Sequence, residues 1–343
     1  MTRIADSLLI LLECYLCVQP FLFVGKKIIV TGGAGFIGSN LVETLLQDDR
    51  VAAVRVIDDL SNGYRANVEA FAHHPKYDFV QADICDYEAV LRLTQGFDLI
   101  SHQAALGSVP RSIQNPMRTD AVNTGGTVNV LHAAVQNKIQ RVVLACSSST
   151  YGDSAELPKK EDRIGKPLSP YAITKLANEL YADVFQRTYG LSYIGLRYFN
   201  VFGPRQSPDN PYAAVIPLFC RAFMEGRSPV IHGDGLQSRD FTYVENAVQA
   251  NVLALFTEQT EAVNQVYNVA CGEQTTLREM VTLLQQVSGQ PLEATYGPAR
   301  AGDVRHSKAD ISKIQSLLGY RPTVQFAEGL ARVYRWYAQQ RSI

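Results

Sequence analysis

The sequence predicts an α/β fold, a doubly wound parallel sheet with a smaller, interleaved C-terminal lobe. Three observations carry that expectation. From Lys26 to about residue 200, short apolar runs alternate with helical stretches, the order that builds a parallel sheet covered on both faces. The first apolar run enters a glycine-rich turn that opens an amphipathic helix. Beyond residue 200 the alternation gives way to Pro-, Gly- and Asn-rich sequence and then to mixed short strands and helices.

Taken in order, the first stretch is "SLLILLECYLCVQPFLFV", Ser7 to Val24. Its apolar character suggests a membrane anchor or signal peptide. Glu13 interrupts it, Pro20 would break a spanning helix, only Arg3 is basic before it, and no small-residue cleavage site follows. Residues 1–25 are therefore expected to be an N-terminal extension that packs on, or trails from, the domain starting at Lys26, or else sequence upstream of the true start. The strands that follow are "KKIIVT", "VRVID", "YDFVQAD", "DLISHQA" and "RVVLACSSS", with helices expected over Thr119 to Asn137 and Tyr171 to Tyr189. The stretch "VFGPRQSPDNPYAAVIP", Val201 to Pro217, reads as loop rather than core.

Composition bounds the chemistry. With 343 residues, 46% hydrophobic content and a formal net charge of -1, the chain is globular and large enough for one big domain and a lobe. Without a basic block, nucleic acid is not expected as a partner. Six scattered cysteines, Cys14, Cys17, Cys85, Cys146, Cys220 and Cys271, read as reduced thiols of a cytoplasmic protein. Cys14 and Cys17 lack a matching second pair, no carboxylate cluster or H-x-x-x-H occurs, and His102 follows a strand; His102 is read as structural and no metal is expected.

Gly32, Gly35 and Gly38 form G-x-x-G-x-x-G between a strand and a helix. Such a turn brings backbone N–H groups against a pyrophosphate, where side chains would obstruct. Asp58 ends the second strand about twenty residues on, placed to accept from an adenosine ribose and to repel a 2′-phosphate, with Asp59 adding negative charge. Together they predict a Rossmann-type domain and NAD rather than NADP. Asp83 and Ile84 end the third strand, where an adenine edge would lie.

In "SPYAITKLANEL", Tyr171 and Lys175 stand four apart on one helix face, with Ser169 as cap and Pro170 in the first turn. A neighbouring ammonium is expected to draw the phenol down toward neutrality, making a base for an alcohol that loses hydride to nicotinamide. Ser147, Ser148 and Ser149 end the preceding strand, at the edge of the sheet where ligands bind.

The motifs "TGGAGFIG", "SSSTYGD", "SPYAITK" and "LRYFNVFGPRQ" resemble the extended short-chain dehydrogenase/reductase family, in its nucleotide-sugar branch, from Lys26 to the C-terminus. The resemblance implies bound NAD, with Ser149 or Ser148, Tyr171 and Lys175 as the catalytic group. It also places Phe36, Ile37, Asp58, Asp83, Ile84, Gln103 with Ala104, and Phe199 near the dinucleotide, and Asn200 near a sugar diphosphate. A cofactor domain over 26–200 and a mainly substrate-binding lobe over 201–343, with segments returning to the first, follow from it. The Thr119–Asn137 and Tyr171–Tyr189 helices resemble those that pair family members as homodimers.

The residues after Ser149 are Thr150 and Tyr151, not the Asp-Glu pair of family 4,6-dehydratases, and no decarboxylase acid and arginine are identified. A 4-epimerase needs only the Ser/Tyr/Lys group and NAD. The segments "HQAALGSVPRSIQNP" and "GDVRHSKADISK" are similar to those of bacterial UDP-N-acetylglucosamine 4-epimerases. There Ser307 stands where UDP-galactose 4-epimerases often carry a tyrosine, leaving room for an acetamido group; Ser307 reads equally as an incidental surface serine. UDP-glucose/UDP-galactose epimerisation, uronate substrates, net oxidation or decarboxylation, and a non-catalytic NAD-binding regulator are the alternatives. Arg239 and Arg305 are expected to converge on the diphosphate, Arg239 alone reading equally as a surface partner of Asp240. Ser108, Tyr212, Ala213, Ala214 and Val215 are expected to line the sugar and uracil pocket, with the 147–149 serines at the sugar.

Overall fold

The computed structural model describes residues 25–209, 214–298 and 305–341. The first half runs β1 (Lys26–Thr31), α1 (Phe36–Gln47), β2 (Val51–Asp58), α2 (Arg65–Glu69), β3 (Tyr77–Gln81), α3 (Tyr87–Leu93) and β4 (Leu99–His102). It continues through α4 (Val109–Gln114), α5 (Pro116–Asp120), a π-turn (Ala121–Gly125), α6 (Gly126–Gln136) and β5 (Arg141–Ser147). A 3-10 turn (Ser148–Tyr151), α7 (Pro170–Tyr189) and β6 (Tyr193–Tyr198) complete it.

All strands of the main sheet are parallel, in the order β11-β6-β5-β4-β1-β2-β3, where β11 is Gln265–Val269. The order reverses between β1 and β4, and ligands of open α/β sheets bind at the carboxyl edge of such a reversal. Residues alternate between the two faces, as strand geometry requires. Ile28 and Val30 join the core under α1 and α9 (Val244–Phe256), while Ile29 joins the core under α3, α6 and α7. Both β11 and α9 come from beyond residue 200, so the later chain returns to cover and extend the sheet.

The lobe holds β7 (Val201–Phe202), α8 (Val215–Met224), β8 (Val230–His232), β9 (Ser238–Arg239) and β10 (Thr242–Tyr243) before α9. After β11 come β12 (Thr275–Thr276), α10 (Leu277–Ser288), β13 (Thr295–Gly297), α11 (Ser312–Leu318) and α12 (Phe326–Arg341). The 201–217 stretch is therefore not all loop. Phe202 is buried against the rings of Phe241, Tyr243 and Phe326, and β7 pairs with β10. Burying one large ring among three others outweighs the local Pro/Gly composition. α8 starts at Val215 because Ile216, Phe219, Cys220 and Phe223 form one buried stripe. Pro217 is tolerated there because first-turn N–H groups have no intrahelical partner.

The helix expected over 119–137 is interrupted by the π-turn. Gly126 lies against Ile84, and a Cβ there would sit 2.6 Å from Ile84 Cδ1. The extra residue also turns Asn123 inward, where it bonds Leu106 N–H at 2.8 Å and the Thr174 hydroxyl at 3.2 Å. Among the described residues, no helix is long and apolar enough to cross a membrane. Residues 1–24, including Cys14 and Cys17, lie outside the described residues.

Candidate active site

Two cavities meet at the carboxyl edge of the sheet. Among the described residues, Tyr171 alone lines both.

The first is a cleft over the β1–α1 turn. It is lined by Gly32, Gly35, Phe36, Ile37, Gly38, Asp58, Asp59, Asp83, Ile84, Gln103, Ala104, Tyr171 and Lys175, all expected from the sequence. The glycines play different parts. Gly32 has a φ of +72, and a Cβ there would lie 2.5 Å from Ala104 N; at Gly38 it would lie 2.2 Å from Gly32 O. Those two are glycine because the protein's own turn demands it. Gly35 meets nothing closer than Gly32 O at 3.2 Å and has an ordinary φ of -78. Its missing side chain leaves a bare helix N-terminus, which suits a pyrophosphate.

Asp58 is held by Ala34 N–H on Oδ2 at 2.9 Å and Leu60 N–H on Oδ1 at 2.8 Å. Burial raises its carboxyl, against those two bonds. A carboxylate has about four lone-pair sites, so acceptor capacity remains for a ribose diol. The residues thus fit NAD. Phe199 does not line the cleft: it is fully buried against Tyr151, with ring centroids 5.8 Å apart. Its neighbour Tyr198 lines the cleft instead, donating to Gln103 Oε1 at 3.2 Å and accepting from Asn251 Nδ2 at 2.7 Å. Successive strand residues face opposite ways, and the sequence does not say which of the two faces in.

α7 opens as its sequence predicts, with Ser169 Oγ accepting from Ala172 N–H at 3.2 Å and Pro170 in the first turn. Tyr171 and Lys175 share a face, but the ammonium lies 5.9 Å above the ring and donates to Ala145 O at 2.7 Å. The expected lowering of the phenol is not seen in the protein alone. Burial raises Tyr171, and a hydrogen bond from Ser147 counters it. Burial also lowers Lys175 to about 8, against the influence of Cys146 and Glu179.

That hydroxyl is Ser147, not Ser149 or Ser148. Ser147 ends β5 and meets the phenol, whereas Ser149 lies in the 3-10 turn and donates back to Ser147 Oγ at 2.9 Å. Ser147 is the last residue of β5, and the 3-10 turn that follows it also packs against α7.

The second cavity, about 620 Å³, has the size of a small-molecule site. Ser108, Asn200, Ala214, Val215 and Arg239 line it, as expected, and Tyr212 lies outside the described residues together with Ala213. Phe219, His232, Gln237 and Leu277 also line it, and no sequence motif marked them. Ser108 caps α4 through Arg111 N–H at 3.2 Å. Arg239 Nη1 donates to Ser238 O at 3.0 Å and Arg305 O at 3.2 Å.

The arginines do not converge: the Arg305 guanidinium pairs at the surface with Asp234, 3.0 Å away. Asp240 is fully buried and accepts from Cys271, Gly272 and Ala309 N–H groups, which is no surface partner for Arg239. Ser307 is also buried, bonded through its N–H to Ser238 O at 3.0 Å, and is not among the residues lining the cavity. Short backbone pairings absorb both positions in a way that residue type does not foretell. Among the described residues, no group of three His, Cys, Asp or Glu side chains could hold a metal.

Comparison with known proteins follows the same lines. The sequence model of the NAD dependent epimerase/dehydratase family matches residues 28–270. UDP-glucose 4-epimerase from Mycolicibacterium smegmatis is 37% identical over 91% of this chain and 98% of that protein. A UDP-N-acetylglucosamine 4-epimerase structure from Methanobrevibacter ruminantium, in complex with UDP-N-acetylmuramic acid, superposes with a TM-score of 0.87 at 38% identity. It covers 92% of this chain and 99% of its own. UDP-glucuronic acid 4-epimerase from Bacillus cereus, with UDP-glucuronic acid and NAD, gives 0.85 at 31% identity, over 92% and 99%.

Proposed function

The chain belongs to the NAD-dependent epimerase/dehydratase family, and from that premise we propose that it inverts C4 of a UDP-N-acetylhexosamine, UDP-N-acetylglucosamine to UDP-N-acetylgalactosamine. The observation that carries the reading is the position of Tyr171, the residue common to the dinucleotide cleft and the second cavity. A base there reaches a sugar hydroxyl on one side while facing the cofactor on the other.

NAD, which the cleft over the β1–α1 turn with Gly35 and Asp58 would hold, would supply a reversible hydride acceptor for C4, so that the net reaction would be redox-neutral. Tyr171 takes the C4 hydroxyl proton. Ser147 donates to the phenolic oxygen and steadies its anion. Lys175, held on Ala145 O, places a positive charge 5.9 Å from the centre of the same ring. Arg239, at the wall of the second cavity, holds the diphosphate while the 4-keto sugar turns over. The serines after β5 carry no acid pair of the dehydratase kind.

The choice of an N-acetylhexosamine rests on the 38% identity to a UDP-N-acetylglucosamine 4-epimerase. A UDP-glucose substrate is the second reading, favoured by the Mycolicibacterium relative. We read residues 26–200 as the cofactor domain and 201–343 as mainly the substrate lobe. The protein is read as a cytoplasmic homodimer. Ile173, Leu180, Tyr181 and Val184 form an exposed apolar stripe on α7, which a second copy would cover.

Purified protein incubated with UDP-N-acetylglucosamine, UDP-glucose and UDP-N-acetylglucosaminuronate, followed by NMR of C4 inversion, tests the reading. Preferred inversion of the first supports it, and preferred inversion of UDP-glucose moves the assignment to the second reading. Absence of inversion with all three, or full activity in Tyr171→Phe, overturns it.

A further inference from the structure

Tyr171, Lys175 and Glu179 stand at four-residue intervals on α7 and so form one row along the helix. The first two line the dinucleotide cleft. The third lies one turn deeper and is gripped by Arg197 of β6, with Nε to Oε1 at 2.9 Å and Nη2 to Oε2 at 2.7 Å. Arg197 Nη1 donates to Glu161 O at 3.0 Å, and the guanidinium lies 4.9 Å from the centre of the Tyr151 ring.

The two side chains are only 4% and 6% exposed. A pair so deeply buried is weak evidence of stabilisation, because packed apolar residues of similar volume often serve as well. Its surroundings point to another use. Cys146, on β5 just before Ser147, is the cross-strand partner of Arg197, and it lines the cleft that Lys175 also lines. Glu179 favours the charged form of Lys175, opposing burial. The ion pair therefore behaves as a fixed dipole with its carboxylate end toward the lysine.

We propose that Glu179 is a positioning residue: locked by Arg197 one helical turn from Lys175, its carboxylate is the buried counter-charge that holds the Lys175 ammonium in place inside the cleft. The proposal rests on the roles given to Tyr171 and Lys175 above. Other groups around α7 do not duplicate this. β4 supplies His102, which burial keeps neutral; α4 and α5 supply Arg111 and Arg118, turned to Asn62 and Asp83. Asp120 is exposed, and His132 of α6 bonds Tyr87.

Two variants and two readouts test the proposal. Glu179→Gln removes the charge, and Glu179→Leu with Arg197→Met removes both charges and leaves no unpaired ion buried. Trace acetic anhydride labelling, with the acetylated Lys175 peptide quantified by mass spectrometry from neutral to alkaline pH, reports the lysine's titration without substrate. The alkaline limb of kcat for the epimerisation reports the same group at work. Both are expected to move acidwards by about one pH unit, the lower end of what an opposite charge within ~4–6 Å contributes. An unmoved Lys175 titration in either folded variant overturns the proposal. So does a double variant that fails to fold, which would assign the pair to holding α7 on the sheet. If no UDP-sugar is epimerised, the functional reading falls while the labelling still decides the role of Glu179.

Discussion

The Ser149 hydroxyl donates to Ser147 Oγ at 2.9 Å, and Ser147 in turn bonds the Tyr171 phenol. Ser147 Oγ also accepts the Ser149 N–H at 3.2 Å, so its own proton is left for the phenolic oxygen. The two serines thus have unequal tasks. Ser147→Ala is expected to lower kcat by about 10²–10³-fold, the usual cost of one donor to a developing oxyanion. Ser149→Ala removes only the back-up bond and is expected to cost less than about tenfold. Steady-state kinetics on both variants decides; a larger loss at Ser149 would return the catalytic role to that residue.

Gly35 and Gly38 differ in what a methyl group would strike. At Gly38 it meets Gly32 O at 2.2 Å and Gly33 Cα at 2.8 Å, backbone atoms that cannot give way. Gly38→Ala is expected to destabilise the fold by about 1–3 kcal/mol, as overpacking does. Gly35→Ala is expected to melt near the parent's temperature while losing bound NAD, because the methyl would occupy ligand space. Thermal unfolding, together with NAD released on denaturation, separates the two. Unchanged NAD content in Gly35→Ala would refute this division.

Spacing made the cofactor cleft legible in the sequence. Glycine positions, a carboxylate at a strand end and a four-residue Tyr–Lys interval are local features that dictate geometry. What stayed hidden depended on distant partners. Phe199 turned inward because Tyr151 from another strand end receives its ring, which delivered Tyr198 to the cleft. Arg305 was drawn to Asp234, 71 residues away in sequence. In the serine run, every residue has the same side chain, and only the end of β5 at Ser147 decides which hydroxyl meets the Tyr171 phenol. The π-turn was equally invisible, since it answers to the approach of Ile84 to Gly126.

Arg239 is the guanidinium that reaches the wall of the second cavity, steered by carbonyl oxygens of Ser238 and Arg305. Arg239→Ala is expected to raise KM for the UDP-sugar by roughly 10–100-fold, in line with about 1.5–3 kcal/mol for a charged hydrogen bond. A diphosphate contact serves ground state and transition state alike, so kcat is expected to change little. Calorimetric titration with UDP alone should lose affinity by a similar factor. Unaltered UDP binding would remove Arg239 from the diphosphate site.

His102 predicts an acid limit to stability. It is buried at the end of β4 between Thr31 Oγ1 at 2.7 Å and Thr127 Oγ1 at 2.9 Å. Thr127 gives its own proton to Asn123 O, so it accepts from His102 Nε2–H, and Nδ1 accepts from Thr31. Burial, and secondarily the charge of Lys175, lowers this histidine from 6.5 to about 3. Below about pH 6.5 the unfolded chain therefore binds a proton at His102 that the folded chain refuses. Stability from this residue is complete above that pH and is lost progressively as pH falls toward 3. The expected slope is about 1.4 kcal/mol per pH unit for one proton. Denaturant midpoints between about pH 6.5 and 5 are compared in the parent and a His102 variant, because Asp240, raised by burial to about 7, titrates in the same window with the opposite sign. His102→Asn should be less stable at neutral pH, and its slope across that window should differ from the parent's by about the His102 contribution, Asp240 contributing the same to both. A variant slope equal to the parent's would mean that another group titrates there.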